Sequence, residues 1–152
     1  MEKIALEEWE NCGQEIIDLA YSHSAEIDWY LDKMKTDPVK EQYDSLGKSG
    51  FLYPIVARDL EGSVIGYSLY FVLPSMHYRG HVFAQNDVYY IAPEYRKRGL
   101  GAELLNYSEI VMRTIGVSMI DVVMKSNHTF HTLAEHCGYD LMEHKYTKWI
   151  GD

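Results

Sequence analysis

Apolar and polar positions divide the chain into a helical first third and a strand-rich remainder. Ile16, Ile17, Leu19 and Ala20, then Ile27, Tyr30, Leu31 and Met34, recur at near-helical spacing, which predicts helix over residues 7–35 with at least one break. Ser22 or Ser24, each with a carboxylate close behind, is placed to cap a second helix, and Thr36-Asp37-Pro38 ends the region. Two strand-like runs, residues 51–59 and 63–73, flank the turn Leu60-Glu61-Gly62 and predict a hairpin. Residues 81–91 read as a third strand after the loop 74–80. Leu100, Leu104, Leu105, Ser108, Val111, Met112 and Ile115 lie on one helix face over residues 99–115, with Gly116 as the stop. A short buried strand (117–124), a short helix (127–137, ended by Gly138) and a last strand (139–150) complete the pattern. This order predicts a mixed α/β fold with a strand–helix–strand crossover at residues 88–105, and ligands bind where such a strand ends and its helix begins.

Composition narrows the partner. The 152 residues are 47% hydrophobic and 24% charged, enough for one domain with a real core. We read residues 1–50 as a helical part on the acceptor side and residues 51–150 as the sheet and ligand-binding core. The formal charge of −9 argues against a nucleic-acid partner held through phosphates and suits a basic or amine-bearing one. Cys12 and Cys137 are the only cysteines, no apolar stretch suits a signal peptide, and none is long enough to span a bilayer. Together these features predict a cytoplasmic protein with reduced thiols and no membrane partner.

Positive charge gathers in one place against this trend. The run "VYYIAPEYRKRGLGAELL" (residues 88–105) ends a strand, presents Arg96, Lys97 and Arg98, and enters a helix through Gly99 and Gly101. Glycines let a backbone approach a ligand closely, and a fresh helix N-terminus offers unpaired N–H groups and a partial positive charge. A pyrophosphate fits that geometry, and the basic side chains add charge-assisted contacts. Two other phosphate motifs fail. Gly47-Lys48-Ser49 resembles the end of a P-loop, but position 42 is Gln and no strand precedes it. The dinucleotide fingerprint fails because position 104 is Leu.

Arg96-x-x-Gly99-x-Gly101-Ala102 resembles the R/Q-x-x-G-x-G/A motif of the GNAT acetyltransferases. Residues 91–96 resemble that family's strand end. Asn127 opens a segment that closes on Cys137-Gly138-Tyr139, at the spacing of the family's N…LGF segment. The likeness covers residues 51–150. More loosely, "HSAE" at residues 23–26 and His77-Tyr78 resemble phage-encoded members. The resemblance implies a GNAT fold: a central mixed, mostly antiparallel sheet with splayed strands, flanked by helices. It implies acetyl-CoA or another acyl-CoA as cosubstrate. Tyr89, Tyr90 and Ile91 would lie along the pantetheine arm, with the backbone of Tyr89 and Ile91 bonding it. The N–H groups of Arg98, Gly99, Leu100, Gly101 and Ala102 would hold the pyrophosphate beside Arg96 and Lys97, with Asn127 on the arm's far side.

Acetyl transfer to an amine requires the amine to be neutral, which favours a general base or a water relay, and a donor for the thiolate helps. Asp87 is the candidate base, since strand alternation puts it on one face with Tyr89 and Ile91. Many relatives place a Tyr donor seven residues after the Asn, but here that position is Ala134. His131, Tyr139, Tyr90 or water are the substitutes. His23, Glu26, His77 and Tyr78 are candidates for the acceptor side. His128, His131, His136 and His144 lack a Cys or carboxylate at zinc-like spacing, so no metal is expected. The reading is an acyl-CoA-dependent N-acetyltransferase acting on a primary amine: a basic protein side chain, a protein N-terminus, a polyamine or an aminoglycoside. The alternatives are a catalytically degenerate acyl-CoA-binding module of phage type that modulates a host partner, and a protein-interaction scaffold without a CoA role. An apolar, aromatic last strand is compatible with a homodimer.

Overall fold

A computed structural model describes residues 2–152. Strand β1 (Lys3–Leu6) leads into helix α1 (Trp9–Ile27) and helix α2 (Lys40–Lys48). Strands β2 (Leu52–Arg58), β3 (Val64–Pro74) and β4 (Val82–Ile91) follow, then a 3₁₀ turn (Pro93–Tyr95). Helix α3 (Leu100–Thr114), strand β5 (Met119–Ile120) and helix α4 (His131–His136) complete the order. The five strands lie in the order β1-β2-β3-β4-β5, antiparallel except for the parallel β4–β5 pair.

The sheet is covered on both faces, so its central strands are apolar on both sides. Tyr67, Leu69 and Tyr90 face α1 and α2 together with Trp9, Cys12 and Ile16. Ile65, Tyr70, Ala84 and Ile91 face α3 together with Leu100, Leu104 and Met112. Trp9 fixes α2 against α1. An added Cβ at Gly13 would stand 2.5 Å from its ring, and one at Gly47 would stand 2.9 Å from its Cβ. Its Nε1 donates to Asp44 (2.7 Å), and Tyr43 stacks on it with ring centroids 5.1 Å apart. Gly47 thus serves packing at the end of α2, where the sequence resembles a P-loop. Arg58 ties β2 to α1 and to the link before it, donating to Glu15 (2.8 Å) and to both carboxylate oxygens of Glu7 (2.8 and 2.9 Å).

Two irregularities in β4 shape the site. Leu69 pairs with Val88 but Tyr70 pairs with Asn86, so Asp87 is an extra residue in a bulge. β4 also pairs with β5 only at Phe83–Met119 and Ala84–Ile120. The Asp121 amide still donates to the Ala84 carbonyl (3.1 Å), and past that bond side chains replace the ladder. Asp121 Oδ1 accepts from the Asn86 amide (2.6 Å), and Asn86 Oδ1 accepts from the Val123 amide (3.2 Å). With side chains inserted between them the strands diverge, and the carboxyl half of β4 has no neighbour on that edge.

The hairpin, β4, the crossover and α3 form as the periodicity predicts. Other expectations are corrected. α1 runs unbroken to Ile27, and Ser24 lies inside it, bonded to Asp28 (2.6 Å) and Thr36, so neither Ser22 nor Ser24 caps a second helix. Residues 28–39 form no helix, and Tyr30 takes φ 62°. β1 and α2 arise where no element was expected. The strand expected over 117–124 shrinks to two residues because Asn86 and Asp121 interrupt its pairing. The helix expected over 127–137 begins only at His131. Residues 139–150 are not a strand: β5 offers too short an edge to pair with, and Leu141, Met142, Tyr146 and Ile150 are exposed.

Candidate functional site

The loop after β4 turns into α3 as a cradle of backbone N–H groups. Gly99 takes φ 89° as the N-cap of α3 and supplies no side-chain cap. The first bond of the helix runs from the Glu103 amide to the Gly99 carbonyl (3.1 Å), which leaves the N–H groups of Leu100, Gly101 and Ala102 without helical partners. Lys97 also has a left-handed φ of 62°, which turns the chain sharply beside them. Arg98 lies over the Tyr95 ring, 5.9 Å from its centroid. The free amides and the adjacent unpaired edge of β4 fit an extended ligand with a phosphorylated end. Gly101 is different from Gly99. Its missing Cβ would stand 2.6 Å from Tyr89 Oη and 3.1 Å from Leu133 Cδ2, so its smallness lets β4, α3 and α4 pack.

Arg96 turns away from this cradle. Its Nε donates to the Ile91 carbonyl (2.8 Å), and Nη1 and Nη2 grip the two carboxylate oxygens of Glu26 (2.7 and 2.8 Å). Its guanidinium also lies 5.7 Å from the centroid of the Tyr90 ring. The charge expected on the phosphate side is therefore committed to α1, and Lys97 and Arg98 are the remaining basic side chains of the motif. The same pairing holds the Glu26 carboxyl below the usual carboxylate range.

His23, Tyr67 and Tyr90 form a buried aromatic group just inside this pair. His23 and Tyr90 have ring centroids 4.7 Å apart, Tyr67 and Tyr90 5.5 Å. Burial pushes the His23 imidazole down to about 4, with Asp28 and Glu26 opposing the shift. Between pH 6.5 and 4 the unfolded chain binds a proton at His23 and the folded protein does not, so stability falls as pH falls through that window. The slope for one proton is about 1.4 kcal/mol per pH unit. His23→Gln is expected to lose roughly 2 kcal/mol less than the parent between pH 7 and 5, measured by urea unfolding. Parallel curves for the two proteins would show that His23 protonates freely when folded.

The bulge decides where Asp87 points. Strand alternation would have put it with Tyr89 and Ile91, which pack on the α3 side. The extra residue breaks the alternation, and Asp87 Oδ2 instead accepts from Tyr43 Oη of α2 (2.6 Å). Burial and this bond push the Tyr43 phenol up, so it remains a donor. The remaining oxygen, Oδ1, has no bond to Tyr43.

The other candidates spread apart. Asn127 Nδ2 donates to the Ile27 carbonyl (3.4 Å), and His128 Nε2 lies 3.1 Å from Glu26 Oε1, so the loop after β5 joins the group around Arg96. His77 and Tyr78 sit in an exposed loop, their amides bonded to Ser75 Oγ. His131 is exposed at the start of α4. Tyr139 follows α4 with a buried Oη that has no hydrogen-bond partner, as does Tyr89. Ala134 is buried, 6% exposed. Among the described residues no group of three metal-ligating side chains forms, and no helix is long and apolar enough to cross a membrane. Tyr43, Asn86, Asp121 and His128 are the site residues that sequence reasoning missed. Tyr43 lies in a polar run without visible periodicity, and only the fold brings it to β4.

A search of curated proteins finds no match. The fold resembles glucosamine-6-phosphate N-acetyltransferase from Arabidopsis thaliana, at TM-score 0.74 and 11% identity over 99% of each chain. It also resembles a ribosomal-protein-alanine N-acetyltransferase from Brucella melitensis, at TM-score 0.72 and 17% identity over 99% of this chain and 100% of the other. A third likeness is AAC(6')-Iy in complex with a CoA-linked bisubstrate analogue, at TM-score 0.74 and 12% identity over 100% of this chain and 99% of the other. The model of the "Acetyltransferase (GNAT) family" matches residues 6–139, and the chain belongs to that family.

Proposed function

We propose that this protein moves an acetyl group from acetyl-CoA directly to a primary amine. The observation that carries the proposal is the gap between β4 and β5 beyond Ala84 and Ile120, opening beside the uncapped N-terminus of α3. The amides of Leu100, Gly101 and Ala102, with Lys97 and Arg98, would hold the pyrophosphate. The unpaired edge of β4 from Asp87 onward would take the pantetheine arm.

The amine nitrogen forms a bond to the thioester carbonyl carbon, the carbon–sulfur bond breaks, and the thiolate takes up a proton. Asp87 Oδ1 would take the proton that the amine releases, directly or through one water. Tyr43 holds the other oxygen and so orients the carboxylate. With Ala134 in the donor's place and the Tyr139 hydroxyl buried, water protonates the thiolate. Asp28, Asp37 and Asp87 are among the residues of the cleft, with Trp29, Tyr43 and Tyr78, and carboxylates and aromatic rings suit a cationic acceptor.

Ala134 also motivates a second reading, an acyl-CoA-binding module of phage type without turnover. Calorimetric titration with acetyl-CoA, with ATP as comparison, is expected to show micromolar binding of acetyl-CoA and weak binding of ATP. An amine screen under the same conditions then separates the readings. Absence of acetyl-CoA binding sinks both, and binding without acetylation of any amine favours the second.

A further inference from the structure

The end of α1 is tied to both of the strands that diverge. Glu26 grips Arg96, which follows β4, through two hydrogen bonds of 2.7 and 2.8 Å. The same carboxylate lies 3.1 Å from His128 Nε2, in the loop that follows β5. Arg96 is anchored in turn to the last residue of β4, through the Ile91 carbonyl. On the β5 side the tie is reinforced by Asn127 on the Ile27 carbonyl (3.4 Å) and by Lys125 near Asp28 (3.9 Å). The side chain of Glu26 is only 25% exposed and that of Arg96 31%, so this pair is better shielded than an ordinary surface ion pair. Past the bond from the Asp121 amide to the Ala84 carbonyl (3.1 Å), no backbone bond joins β4 to the chain that follows β5 among the described residues, so the contacts through Glu26 span the open end of their gap.

We propose that Glu26 is a positioning residue, a latch that sets the width of the β4–β5 gap by holding Arg96 and His128 on one carboxylate. This assigns Glu26 to the architecture of the gap and not to contact with the acceptor. It rests on the reading of that gap as the acetyl-CoA groove. The latch makes a prediction of opposite sign to simple electrostatics. Removing a carboxylate near a polyanionic ligand, and freeing an arginine, would by charge alone tighten binding. Loss of a latch loosens it, because the ligand must then order the gap as it binds.

The test is calorimetric titration of acetyl-CoA into Glu26→Gln and Glu26→Ala, with amide hydrogen exchange of the free proteins. The expected result is about tenfold weaker binding, or about 1.4 kcal/mol, in Glu26→Ala. Amides of residues 89–98 and 122–128 should exchange faster in both variants while those of α3 keep their protection. His128→Ala should add little to Glu26→Ala, since both cut one linkage. Unchanged or tighter acetyl-CoA binding, or unchanged exchange at both strand ends, overturns the latch. A parent protein that fails to bind acetyl-CoA fails the function reading instead, and hydrogen exchange alone then decides for or against the latch.

Discussion

Asp87→Asn is expected to lower kcat about 100-fold, within the usual range for loss of a general base. The substitution is chosen for what it preserves. The carboxamide oxygen can still accept from Tyr43 Oη, which stands 2.6 Å from Oδ2 in the native protein. The bulge, α2 and the stack of Tyr43 on Trp9 therefore stay in place. What is lost is an oxygen that can take a proton. Without it the reaction draws on the fraction of acceptor that is already neutral, so kcat/KM should climb about tenfold per pH unit until the amine itself is deprotonated. The parent should level off at lower pH. Tyr43→Phe keeps the carboxylate but frees it to rotate, and should cost clearly less than Asp87→Asn. A pH–rate profile of Asp87→Asn that overlays the parent's would remove Asp87 as the base.

Gly101→Val should weaken acetyl-CoA binding at least tenfold, about 1.4 kcal/mol, and lower Tm. The reason lies on the protein side of the helix. A Cβ here stands 2.6 Å from Tyr89 Oη and 3.1 Å from Leu133 Cδ2, so Tyr89 and α4 must move. Tyr89 Oη is buried and has no partner to guide it to a new position. Its Cζ, however, is 4.0 Å away, an ordinary contact. Tyr89→Phe therefore removes the worse clash and leaves only the Leu133 side chain to give way, so the double variant Gly101→Ala/Tyr89→Phe should recover most of the Tm and, if the amides of α3 hold the pyrophosphate as proposed, most of the acetyl-CoA affinity. Recovered Tm with persistent loss of affinity, measured by calorimetry, would instead place the ligand itself against Gly101.

The sequence by itself determined the sheet's middle and the crossover. The runs at residues 51–59, 63–73 and 81–91 are apolar on both faces or bounded by clear turns, and the α3 face repeats without interruption from Leu100 to Met112. Local pattern suffices there because each element buries a face of its own. It also located the glycine turn into α3, because Gly99 and the helix start are neighbours in the chain. Tertiary structure alone decided the direction of Asp87, which a one-residue bulge turns from the Tyr89 side toward Tyr43. It decided that Arg96 serves Glu26, seventy residues earlier in the chain. It also decided that residues 139–150, patterned as a strand, stay unpaired, since β5 keeps only two residues in the ladder. A strand requires a partner's backbone, and a charged side chain takes whichever counter-charge the fold brings near; neither is written in local periodicity.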